Sequence, residues 1–69
     1  MKEYLNKAVL IKKKETGALY GGVLNGIRGN RIHLTNLVIL DKEGRYKAQS
    51  KTDTGRWFNV NTIDVIKGE

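Results

Sequence analysis

The 69-residue sequence contains no cysteine and no proline, one histidine, one tryptophan, one phenylalanine and one methionine. Without cysteine there is no disulfide and no thiolate metal site, so neither common staple of very small folds is available. No apolar run approaches the ~20 residues that a membrane-spanning helix needs. No basic and then apolar leader opens the chain, and the reading is of a soluble, cytoplasmic protein without a membrane partner. Catalytic equipment is equally sparse. His33 stands alone, and the carboxylates are dispersed, the nearest being Asp41 and Glu43 beside a turn glycine, Gly44. No glycine-rich phosphate loop with a following lysine is present. The chain therefore reads as a binding protein rather than an enzyme, with no cofactor and no metal.

What is present is glycine, at eight positions, and positive charge: 13 Lys and Arg against 7 Asp and Glu, net +6. The length suits a single domain spanning residues 1–69. A core of this size rarely supplies more than about 3–5 kcal/mol, so self-association is a natural source of further stability. The basic balance points to an anionic partner, most commonly nucleic acid.

Residues 1–6 have room for a helical turn or two. Ala8-Val9-Leu10-Ile11 is too short an apolar run for a helix and suits a strand, followed by Lys12-Lys13-Lys14 and a turn at Thr16-Gly17. Leu19 to Ile27 holds Gly21, Gly22 and Gly26 among apolar residues. Three interior glycines would cost a helix about 1 kcal/mol each, whereas a sharply curved strand needs such positions. After a turn at Arg28-Gly29-Asn30, Arg31-Ile32-His33-Leu34-Thr35 alternates polar and apolar as a half-buried strand does. Asn36 interrupts it, and Leu37 to Leu40 continues it through a bulge. The polar stretch Asp41 to Arg56, with Lys42, Arg45, Lys47 and Lys51 inside it, is open to three readings: a disordered loop, a second contact surface, or an extended hairpin with Tyr46 and Ala48 on one face. Trp57 to Val60 reads as a strand, Asn61-Thr62 as a tight turn and Ile63 to Ile66 as the last strand. The sum is all-β: a small, strongly bent, five-stranded barrel.

Leu5-Asn6-Lys7-Ala8-Val9, Gly17, Gly22-Val23-Leu24-Asn25-Gly26-Ile27, Asn30 and Ile32-His33-Leu34-Thr35-Asn36 resemble the first signature of the Sm and Sm-like proteins. Val60 to Ile66 stands where the second signature would lie. The resemblance implies a bent barrel whose fourth strand pairs with the fifth of a neighbouring copy, closing a homo-oligomeric ring. It also implies binding of single-stranded RNA, often uridine-rich, around the pore. Carried onto this sequence, the RNA-binding candidates are Arg28, Asn30, Arg31, His33, Asn59 and Asn61, with Asn30 as base reader and His33 as a stacking surface. The subunit-contact candidates are Trp57, Phe58, Val60, Ile63 and Val65. The sequence departs from the family pattern in three places. The turn after Ile27 is one residue shorter, with Arg28 where an aspartate is typical. Asn59-Val60 replaces the usual Arg-Gly pair, and the N-terminal helix is cut to a few residues. An alternative follows from those departures: a structural or protein-interaction ring whose nucleotide site has decayed. A monomeric barrel that binds duplex DNA is a third reading.

Overall fold

A computed structural model describes residues 2–49 and 55–68. A single 3-10 turn, Lys2–Tyr4, precedes six strands: β1 Ala8–Lys13, β2 Leu19–Arg28, β3 Arg31–Leu40, β4 Tyr46–Gln49, β5 Arg56–Asn59 and β6 Ile63–Gly68. All pairings are antiparallel and belong to one curled sheet. Its order is β4-β3-β2-β1-β6, and β5 also pairs with β3. The expected all-β, strongly bent architecture with a short N-terminal turn is therefore what the chain adopts.

The sixth strand comes from the polar stretch. β4 pairs with Val38 to Leu40, whereas β5 pairs with Arg31 to Leu34, so the two share one edge of β3. Five positions run across the sheet even though six strands fill them. Residues 35–37 of β3 lie between the two pairings. The part of the expected hairpin that includes Lys51 lies outside the described residues. Its first turn is well formed: Asp41 Oδ1 accepts from the backbone N–H groups of Glu43 (3.0 Å) and Arg45 (2.8 Å), and Gly44 takes φ +83°.

Curvature originates in β2. Its pairing with β3 slips between Gly21 and Val23 and again between Leu24 and Gly26. A Cβ on Gly22 would stand 2.9 Å from the Thr35 carbonyl oxygen and 3.2 Å from Leu34 Cβ, so only glycine lets β3 approach this closely. Opposite, Asn36 takes φ +52°, a left-handed conformation that asparagine tolerates better than most residues. β3 thus continues through Asn36, as its sequence suggested.

The concave side of the sheet holds the core: Val9, Ile11, Leu24, Ile32, Leu34, Leu37, Phe58 and Ile63. Tyr4, Tyr20, Ile27, Val60 and Val65 pack around it. Arg56 lies over the rings of Tyr20 (5.7 Å) and Phe58 (5.3 Å) and closes one margin of the core. Val60, expected at the end of a strand, instead opens a second 3-10 turn, Val60–Thr62. The cause is local: Asn59 Oδ1 accepts from Asn61 N–H and the Asn59 carbonyl accepts from Thr62 Oγ1, which turns the chain. Among the described residues, the outer edges of β4, β5 and β6 have no strand partner.

Candidate nucleic-acid interface

Alternation along each strand sorts the side chains. Ile32, Leu34 and Phe58 point into the core, so Arg31, His33, Trp57 and Asn59 point outward from the convex face. The register brings these outward residues together. Arg31 faces Asn59, and His33 lies between Gly26 on one side and Trp57 on the other. Arg28 and Arg31 form the pair that closes the β2-β3 turn. Asn30 sits in that turn, and its carbonyl accepts from Val60 N–H at 2.8 Å, tying the turn to the 3-10 segment that carries Asn61.

Five of the candidates, Arg28, Asn30, Arg31, Asn59 and Asn61, are exposed, and His33 is half-buried. All six occupy one corner of the sheet, drawn from β2, β3, the β2-β3 turn, β5 and the second 3-10 turn. They are not equally available. The Asn59 carboxamide oxygen is engaged in capping the turn at 2.9 Å from Asn61 N. His33 Nδ1 donates to Asn25 Oδ1, which fixes the orientation of the imidazole. Its ring also lies 4.8 Å from the Trp57 ring, tilted by 40°. The Arg28 guanidinium stands 5.7 Å from the Trp57 ring centroid, a separation at which cation–π attraction operates.

The subunit-contact candidates divide. Phe58 and Ile63 are buried in the chain's own core, and Val60 and Val65 pack half-buried against it. Their side chains stabilise the two edge strands, whose outer backbone has no strand partner among the described residues. Trp57 differs from these four: it is 45% exposed on the convex face, in the same corner as the polar candidates. Sequence reasoning groups it with Phe58, although adjacent strand residues face opposite sides. The same reasoning misses Asn25, yet its place beside inward Leu24 marks it as outward.

The corner offers cations, amide groups and an aromatic surface. No group of three or more metal-ligating side chains occurs among the described residues. No described helix is long and apolar enough to cross a membrane. No protein-family model, curated protein or solved structure matches the chain.

Proposed function

We propose that the chain is an Sm-like protein that closes into a homo-oligomeric ring and binds single-stranded RNA without catalysis. The observation that carries this reading is the sheet order. It leaves β5 and β6 as opposite open edges of one curled sheet, which suits strand pairing between copies. The short core supports it too, because a chain of this size gains stability by pairing its edges. The joined corner of Arg28, Asn30, Arg31 and Asn61 supplies the RNA contacts. Two guanidinium groups suit phosphates, and the asparagine amides suit base edges. A cytoplasmic, RNA-bound ring is the cellular counterpart of this reading.

One observation favours the second reading, a ring that contacts protein rather than RNA. The Asn59 side chain, in place of the cation that the family pattern would put there, is used to cap its own turn. Fluorescence anisotropy with labelled oligo-uridine, oligo-adenosine and duplex DNA separates the readings. Tight single-strand binding that weakens as salt rises supports the RNA ring. Absence of binding to all three supports the protein-contact ring, and preference for duplex supports a DNA-binding barrel.

A further inference from the structure

We propose that Trp57, on the convex sheet face, is the surface on which a base of single-stranded RNA stacks. The proposal rests on the RNA-binding reading and moves its stacking surface from His33 on β3 to Trp57 on β5. The indole lies in a row across three adjacent strands, with Gly26 on β2, His33 on β3 and Trp57 on β5. A Cβ on Gly26 would stand 4.0 Å from Trp57 Cη2 and 3.6 Å from His33 Cβ, so the indole rim lies against this position at contact distance. His33 buttresses the indole, and its bond to Asn25 holds the buttress in place. The indole is thus braced by its strand neighbours while the residue stays 45% exposed.

Its surroundings favour a nucleic acid over a second copy of the chain. Arg28 over the ring and Arg31 at the same corner place two cations around one aromatic group. Two guanidinium groups beside one ring match the phosphates of a nucleic acid, and pairing this corner with the same corner of a second copy would juxtapose the arginines. A base stacked on the indole brings its phosphates to those arginines. Arg28 can then either cover the base or leave the ring for a phosphate oxygen.

Trp57 is the chain's single tryptophan, so its emission reads this site alone. Unlabelled oligo-uridine and oligo-adenosine are titrated into the full chain while emission is recorded, with anisotropy of the labelled oligomers in parallel. The expected result is quenching of Trp57 with the same midpoint as the anisotropy change. Trp57→Phe, which keeps a stacking ring, should stay within about threefold of the parent affinity, and Trp57→Ala should lose about tenfold. If anisotropy reports binding while emission is unchanged and Trp57→Ala binds like the parent, the stacking proposal is wrong and the RNA reading stands. If neither oligomer binds, the RNA reading fails and the proposal with it. Emission that shifts blue as protein concentration rises, with no response to RNA, would assign Trp57 to a subunit contact and overturn the proposal. Should Trp57→Ala lose its circular dichroism, quenching in the parent and affinity of Trp57→Phe decide.

Discussion

Gly55 meets two demands at once: its φ is +76°, and an added Cβ would press on the Leu34 carbonyl and the His33 ring. Gly55→Ala should therefore destabilise the fold and displace β5 from β3, by about 1–3 kcal/mol in urea denaturation. Unchanged stability would mean that β5 does not lie this close to β3. The same measurement applies to Leu24, which is fully buried beside the bend of β2. Leu24→Ala should cost about 2–5 kcal/mol, enough to remove most of the stability of so small a core. At this scale the sequence is readable where one residue type has one dominant use. The glycines of β2 announce a bend, and Asn36 announces an interruption that the strand survives. What single residues do not reveal is the meeting of Asn25, His33 and Trp57. Those residues lie on three strands: Asn25 sits at the slip between Leu24 and Gly26, and Trp57 reaches His33 through the β3-β5 register.

Among the elements, β1, β2, β3 and β6 are legible because short apolar runs, strand glycines or alternation lie between recognisable turns. Lys14 illustrates how the ends are then fastened. Its N–H donates to the Thr62 carbonyl at 2.9 Å, and its ammonium lies 3.9 Å from Asp64 in an exposed pair that adds little by itself. The division of one sheet edge between β4 and β5 is not legible, since both pair with the same side of β3 and neither strand's sequence carries its register. The second 3-10 turn is partly legible: Asn61-Thr62 marks a turn, but the capping role of Asn59 emerges only with the geometry. The edge strand β6 invites a direct test. Ile66 is 52% exposed, so Ile66→Lys should leave circular dichroism unchanged while placing a charge on the strand proposed to pair with a neighbour. We expect weaker assembly, by roughly 0.2–1 kcal/mol for each cross-strand pair disturbed, seen as smaller species on dilution in light scattering. Larger or unchanged assemblies across the whole dilution series would argue against β6 as a pairing edge.

For the whole molecule, charge and size act together. The basic excess is carried by residues 1–56, whereas residues 57–69 are net −1 through Asp64 and Glu69 against Lys67. In the proposed ring, β6 would bring a strand that carries Asp64 beside the Arg56 end of a neighbour's β5, an arrangement of opposite charges. Binding of oligo-uridine should fall steeply with salt. Arg31→Ala should reduce the slope of log affinity against log salt by roughly 0.7, the value for one phosphate that the arginine neutralises. A slope identical to that of the parent would remove Arg31 from the interface. Native mass spectrometry of the full chain at micromolar concentration, with and without a short oligo-uridine, reads assembly and ligand together. The account predicts one closed oligomer of fixed subunit number that gains the mass of bound RNA. A monomer in both conditions would contradict it.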